Sequence, residues 1–330
     1  MIYVNLPYDT QQRRLTFYLA MEEYVARKMK ADEYFFMWQV QPTVIFGRNQ
    51  LIQNEVNLEY CREHGIQTYR RKSGGGCVYA DMNNIMFSYI TPDDNPVNVT
   101  FSRYIDRVTE MLRKLGIDAK TSGRNDIMID GRKVSGNAFY HIPGRSIVHG
   151  TMLYDTDMQN MVASITPSDK KLVSKGIESV RQHITLLKDY TDIGIHKFKD
   201  FVKDTLCMCH VTLSHTAIEA IEDIEREYLS PEFIYGNNPR YNISRRGRIE
   251  NVGDFDISLE MKNDIIKDID IKGDFFLIGD IDTTINAALR NRPFTTEGIR
   301  DALPERLDNI IMNLRKDDFV DLIVGNSMTA

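Results

Sequence analysis

Leu15, Tyr18, Leu19, Glu22, Val25 and Met29 recur at three- and four-residue intervals, which predicts an amphipathic helix over about 13–29. Two runs rich in β formers follow, 34–40 and 43–49, separated by Gln41-Pro42, and they predict strands of a sheet on which that helix lies. A short helix is expected over 57–64, ended by Gly65, and then two more strands, 66–69 and 85–90. After the turn formers of 91–96, Phe101, Tyr104, Ile105, Val108, Met111, Leu112 and Leu115 trace a second amphipathic helix stopped by Gly116. Asp130-Gly131 between two β-forming runs predicts a two-residue hairpin, and 149–154 reads as the end of another strand. Helical patterns resume after Asp155, with a start signal at Pro167-Ser168-Asp169, and again over 196–209 and 215–229.

The pattern changes at 235–247, where glycine, asparagine and arginine crowd together. Beyond it Phe255, Ile257, Leu259 and Met261 alternate as a strand, 275–278 reads as a second, and helices are expected over 282–290 and 305–314. The expectation is a larger domain, 1–244, joined to a small α+β unit, 248–330.

Composition narrows the class without naming it. The chain has 330 residues, 42% hydrophobic and 27% charged, with a net charge of −6, the profile of a globular protein with a proper core and not of one that coats nucleic acid. No apolar run reaches membrane-spanning length, so no membrane partner is expected. Cys61, Cys77, Cys207 and Cys209 lack the spacing of a disulfide framework or a zinc site, so reduced thiols and a cytoplasmic address are expected. The chain is expected to be a monomer.

Against this acidic background one stretch stands out, Arg70-Arg71-Lys72-Ser73-Gly74-Gly75-Gly76-Cys77-Val78-Tyr79. Three glycines expose backbone N–H groups and permit positive φ, and three preceding cations attract an anion, so the stretch reads as an anion cradle. It is neither a Walker A loop nor a dinucleotide fingerprint. A flexible hairpin beside a solvated basic patch fits the same residues. In the 130–131 hairpin, simple pairing sets Ile127 opposite Val134 and Asp126 opposite Ser135, so that Asp126, Met128, Lys133 and Ser135 share one face. A solvated strand lysine and a catalytic one both fit that placement.

Taken together, Arg70-Arg71-x-Ser73-Gly74-Gly75-Gly76-x-Val78-Tyr79-x-Asp81, Asn84, Phe87-Ser88, Gly123-Arg124-Asn125-Asp126, Gly131-Arg132-Lys133-Val134-Ser135-Gly136-Asn137-Ala138, His149-Gly150-Thr151 and Gly176-Ile177-x-Ser179-Val180-Arg181 resemble the successive motifs of lipoate-protein ligase A. The likeness covers about 10–190 closely; the C-terminal part is similar to the family's accessory domain in size and position. The resemblance implies an α+β fold, a mixed, largely antiparallel sheet with flanking helices of the biotin/lipoate ligase type, plus a small α+β accessory domain. It implies the use of ATP and Mg²⁺ to convert lipoate to lipoyl-adenylate. The acyl group then passes to a lysine of apo lipoyl domains of 2-oxoacid dehydrogenase complexes or of the glycine-cleavage H protein.

Residue by residue, the resemblance implies ATP contacts at Arg71, Gly76, Cys77, Val78, Tyr79 and Lys133. It implies lipoate or lipoyl-adenylate contacts at Arg70, Ser73, Gly75, Lys133, Ala138 and His149, with Lys133 as the catalytic charge stabiliser. Asp126, on the face of Lys133, is expected to orient that lysine or to help hold Mg²⁺. The chain departs from the family pattern at Ala80, where histidine is common, at Val148 before His149, and at Cys77, where alanine is usual. Two rival readings are an octanoyl or lipoyl transferase of the same fold, working through a cysteine without ATP, and a catalytically silent acyl-adenylate-binding protein.

Overall fold

An apolar stripe on a helix needs a sheet to lie on, and the two are joined in the N-terminal unit of this chain. The computed structural model describes residues 1–7, 11–50, 52–92, 97–122, 125–165, 183–235, 243–262 and 265–325. The chain divides into two compact units: Met1–Phe46, Gln53–Arg71 and Cys77–Ile234 form one, and Gly47–Ile52, Lys72–Gly76 and Tyr235–Ala330 the other.

In the first unit the order is β1 (Ile2–Asn5), α1 (Leu15–Lys28), β2 (Tyr34–Trp38), β3 (Thr43–Phe46), the short α2 (Ile52–Glu55) and α3 (Leu58–Glu63). β4 (Gln67–Arg70), β5 (Val78–Ala80), β6 (Ile85–Pro92), α4 (Val97–Lys114), β7 (Ala119–Thr121), β8 (Asp126–Ile129), β9 (Arg132–Ile142) and β10 (Arg145–Met152) follow. The unit ends with α5 (Met158–Ile165), α6 (Ile195–Leu206), β11 (Cys209–Thr212), α7 (His215–Leu229) and α8 (Pro231–Tyr235). Among the described residues the main sheet has eight strands in the order β11-β1-β2-β6-β10-β9-β8-β7. The β1 pairings are parallel and the rest antiparallel, so the sheet is mixed and largely antiparallel. A smaller sheet, β4-β3-β5, carries the strands on either side of the glycine stretch.

The stripe of α1 buries Leu15, Leu19 and Val25 against Phe36, Trp38, Ile90 and Ile147 of the large sheet and Ile218 and Ile221 of α7. Each such side chain contributes roughly 1.5–3 kcal/mol when fully buried, so this layer fixes where α1 sits. That matters for the site, because α1 also carries Glu22 and Glu23 into the core, 0% and 2% exposed.

The second unit is a three-stranded antiparallel sheet, β12 (Ile243–Ile249), β13 (Gly253–Lys262) and β14 (Ile265–Asp274). Phe255, Ile257, Leu259, Ile269 and Ile271 face its helices α9 (Thr296–Ala302) and α10 (Lys316–Val324) across one core. The sequence placed the second strand at 275–278. It ends instead at Asp274, and the apolar run Phe275–Ile278 is a core-filling connection whose Phe275 stacks on Phe255 with centroids 4.8 Å apart. The stretch 243–249, whose first residues fall in the boundary expected over 235–247, is a strand paired along its length with β13, and Arg246 and Arg248 meet Asp256 and Asp254 across that pairing at 2.8 and 2.7 Å. The helix expected over 305–314 is a single turn, Leu307–Asn309, flanked by α9 and α10. In the first unit Cys209, expected in a helix, lies on the edge strand β11. The expected helix start at Pro167–Asp169 and the motif at Gly176–Arg181 lie outside the described residues, as do Gly123 and Arg124.

Candidate active site

The turn Asp130-Gly131 has φ of 51° and 73°, the mirror-image conformation that a two-residue hairpin needs. Beyond the turn Met128 pairs with Lys133, but Ile127 then pairs with Ser135 and Asp126 with Gly136. Simple alternation had set Ser135 beside Lys133. Val134 is an extra residue, a bulge, and both Val134 and Ser135 turn into the core at 0% and 2% exposure. The parity of β9 is reversed downstream, so Lys133 shares its open face with Gly136 and Ala138. Lys133 Nζ lies 2.8 Å from Asp126 Oδ1 on that face. This oxygen is sealed from solvent and takes no well-aligned hydrogen bond, so the ammonium is its counter-charge. Behind the bulge the main chain is anchored, with Leu153 N–H donating to Val134 O at 2.9 Å and Thr185 N–H to Lys133 O at 2.8 Å. A reciprocal amide clasp, Asn125 Nδ2 to Asn137 O at 3.0 Å and Asn137 Nδ2 to Asn125 O at 2.9 Å, holds the two strands in this register.

Along the same face Ala138 pairs with His149 on β10, and His149 with Ser88 on β6. His149 Nδ1 lies 2.9 Å from Glu22 Oε2, while Ser88 Oγ donates to Glu22 Oε1 at 2.5 Å and Trp38 Nε1 donates to Ser88 Oγ at 2.9 Å. A buried carboxylate is tolerated only when it is paired and hydrogen-bonded, and here α1 delivers Glu22 to two such groups, His149 and Ser88, with Trp38 holding Ser88 from behind. The face thus runs from a half-open cationic end, where the Lys133 and Asp126 side chains are 36% and 25% exposed, to a sealed polar end under α1. Sequence reasoning gave Glu22 no role; the signal was a carboxylate sitting on the buried stripe of a helix.

The glycine stretch behaves differently from an empty cradle. Arg70 Nε donates to the carbonyls of Phe233 and Ile234, both at 3.0 Å, where it caps the C-terminal end of α8, and its guanidinium lies 4.6 Å from the Phe46 ring centroid. Arg71 Nη1 donates to Ile45 O at 3.2 Å. Both are buried, and each makes at least one hydrogen bond to a main-chain carbonyl. Lys72–Gly76 belongs to the second unit, where Gly75, at φ 89°, donates its N–H to Phe275 O at 3.0 Å and Arg48 N–H donates to Ser73 O at 2.9 Å. A Cβ on Gly74 would run into that same Phe275 carbonyl, and one on Gly76 would come within 2.8 Å of Asp274 Oδ2. Ser73 is fully buried, Cys77 and Val78 are half-buried, and Tyr79 packs in the core of the first unit.

Asp81 and Asn84, part of the same motif, are structural. Asp81 accepts from Asn83 N–H at 2.9 Å, Thr156 Oγ1 at 3.1 Å and Asp157 N–H at 2.9 Å, and Asn84 Nδ2 donates to Thr156 Oγ1 at 2.9 Å. Asp81→Ala is expected to cost about 2 kcal/mol or more of stability by stripping those donors of their acceptor. A urea midpoint equal to that of the native chain would contradict this assignment.

Residues 15–207 match the family model for the lipoyl protein ligase A/B catalytic domain, and residues 238–323 that for the bacterial lipoate protein ligase C-terminus. The chain is 35% identical over 317 residues to the lipoate-protein ligase LplJ of Bacillus subtilis, covering 92% of this chain and 95% of that one. It is 34% identical over 298 residues to lipoate–protein ligase 1 of Staphylococcus aureus, covering 88% and 90%. The chain belongs to the lipoate-protein ligase family. Among solved structures, P. falciparum LipL1 in complex with lipoate superposes with a TM-score of 0.76 at 19% identity over 98% of both chains, which establishes the shared fold. A bipartite lipoate protein ligase of Thermoplasma acidophilum, solved with its E2 lipoyl domain, gives 0.64 at 25% identity over 73% of this chain and 98% of that one.

Cys61 and Cys207 are poor candidates for a thiol nucleophile. Burial pushes the Cys61 and Cys207 thiols up to about 11, the reverse of the lowered value that a reactive thiolate needs. Cys209 is exposed on an edge strand of the sheet. Among the described residues no helix is long and apolar enough to cross a membrane.

Proposed function

We propose that this ligase activates lipoate with ATP and transfers the lipoyl group to the lysine of an apo lipoyl domain or H protein in the cytoplasm. The observation that carries the reading is the ammonium of Lys133, held against Asp126 at the open end of a face whose other end is sealed by His149 and Glu22. On this reading an acyl chain lies along that face with its carboxyl group at Lys133. A carboxylate oxygen attacks the α-phosphorus of ATP, an acyl–phosphate bond forms, and pyrophosphate leaves. The acceptor amine then attacks the acyl carbonyl, the amide forms, and AMP departs as the amine loses its proton. Both steps gather negative charge on phosphoryl or acyl oxygen, which a fixed cation stabilises.

In the same reading Arg71, Lys133 and Gly76-Cys77-Val78-Tyr79 contact ATP, while Arg70, Ser73, Gly75, Ala138 and His149 line the lipoyl-adenylate site. Residues 1–244 act as catalytic domain and 248–330 as accessory domain. For Mg²⁺ the donor set is one carboxylate, Asp126, and no group of three His, Cys, Asp or Glu side chains is gathered among the described residues. That set fits an ion carried on the ATP phosphates with a single protein ligand. Bound there, Mg²⁺ would neutralise phosphate charge, and Asp126 would be its holder.

Lipoate-dependent exchange of labelled pyrophosphate into ATP tests the first step: exchange is expected with lipoate present, and its absence would overturn the reading. Cys77→Ala is expected to keep near-native exchange and transfer, because the activated species is an adenylate and not a thioester. An acyl adduct on Cys77, formed from an acylated carrier without ATP and detected by mass spectrometry, would favour the transferase instead.

A further inference from the structure

The bulge at Val134 places Gly136, and not Ser135, on the face of Lys133 and directly across from Asp126. Gly136 is not among the residues with positive φ, so its backbone is one that any residue adopts. Its lack of a side chain answers to space. A Cβ there would lie 2.6 Å from Lys133 Cε, 2.7 Å from Lys133 Nζ and 3.7 Å from Asp126 Oδ1. The end of the Lys133 side chain therefore rests in the volume that any other residue at 136 would fill.

We propose that Gly136 is a positioning residue: the gap it leaves lets the Lys133 side chain fold back along β9 and meet Asp126, fixing the ammonium at the open end of the site. The inference rests on the ligase reading for its catalytic consequence, but its geometric content stands apart from it. The atoms that an added methyl group would meet are the far end of a flexible side chain, so the lysine swings away and the strand stays as it is. A strand also tolerates alanine better than glycine, so the substitution carries no intrinsic loss of stability. The bulge supplies the second requirement. In a regular alternation Gly136 would turn to the opposite face and Ser135 would stand beside the ammonium.

Gly136→Ala tests this in the full-length protein. The kcat for lipoate-dependent pyrophosphate release is expected to fall about ten- to a hundred-fold, the scale of a misplacement of roughly 1 Å. KM is expected to change little, since the lost interaction belongs to the transition state. The thermal transition should stay level or rise. In a Lys133→Ala background the same substitution is expected to have no further effect on the residual rate, because the group it displaces is gone. Trace acetylation of Lys133, read by peptide mass spectrometry, is expected to increase several-fold in Gly136→Ala as the ion pair opens. A native rate in Gly136→Ala, a lowered thermal transition accompanying the loss, a full additional loss in the Lys133→Ala background, or unchanged acetylation of Lys133 would each overturn the proposal. If the native protein itself releases no pyrophosphate, the ligase reading fails, and the acetylation comparison still decides the placement of Lys133.

Discussion

Lys133→Ala is expected to lower lipoate-dependent pyrophosphate release by about two orders of magnitude or more, the scale of losing one preorganised charge stabiliser. The fold should be untouched. The side chain is more than a third exposed and stands on the open face, while the strand is held from behind by Val134, Ser135 and the main-chain bonds to Leu153 and Thr185. Stability therefore separates from activity at this position. Lys133→Arg should not restore the rate, because a planar guanidinium presents a wide fork where the gap above Gly136 admits a compact ammonium. Near-native pyrophosphate release from Lys133→Ala, measured alongside an unchanged unfolding transition, would remove Lys133 from the mechanism.

The second large effect is expected at the glycine stretch. Gly74→Ala places a methyl group against the carbonyl oxygen of Phe275, a backbone atom that has no rotamer to move, in contrast to the flexible lysine end above Gly136. Overpacking of this kind costs about 1–3 kcal/mol. It also pulls against the Gly75 N–H bond to the same carbonyl. The thermal transition of the second unit, which contains both Lys72–Gly76 and Phe275, is expected to fall by roughly 5 °C or more. Adenylate formation is expected to fall about tenfold or more with the loop displaced. A native melting curve together with a native rate would show that the close approach of Gly74 to Phe275 is not required.

Several parts of this architecture were legible from residue patterns, and others were hidden for physical reasons. The helix α1 followed from its spacing, and the β8–β9 hairpin from Asp130-Gly131, because both signals are local. The register beyond the turn was hidden. Ser135 is polar and its position in a simple alternation is on the open side, so nothing local announces that Val134 is an extra residue and that Ser135 is buried. The shared face of Lys133 and Asp126 follows from Met128 facing Lys133, which the structure keeps, whereas Gly136 lies beyond the bulge and is not legible from simple alternation.

The carbonyl partners of Arg70 and Arg71 are not legible in the sequence. Three adjacent cations beside glycines suggest a field aimed at an anion. Whether a guanidinium faces a ligand or a distant carbonyl depends on contacts such as Phe233 and Ile234, more than 160 positions along the chain. Glu22 is a case of the same kind, since its partners His149 and Ser88, and Trp38 that holds Ser88, lie on three strands of the large sheet. In the second unit, Phe275–Ile278 has the composition of a strand but fills a core, where burial satisfies the apolar residues without a ladder.

The central claim is that this chain joins lipoate to an acceptor lysine through an ATP-made adenylate. Its most direct test is an intact-mass measurement on apo lipoyl domain and apo H protein incubated with the purified protein, lipoate and Mg²⁺, with and without ATP. The account predicts the mass of one lipoyl group added to at least one acceptor, on its lysine, only when ATP is present, and abolished by Lys133→Ala. Acyl transfer from an acylated carrier protein without ATP, or no lipoate-dependent modification of either acceptor, would contradict it.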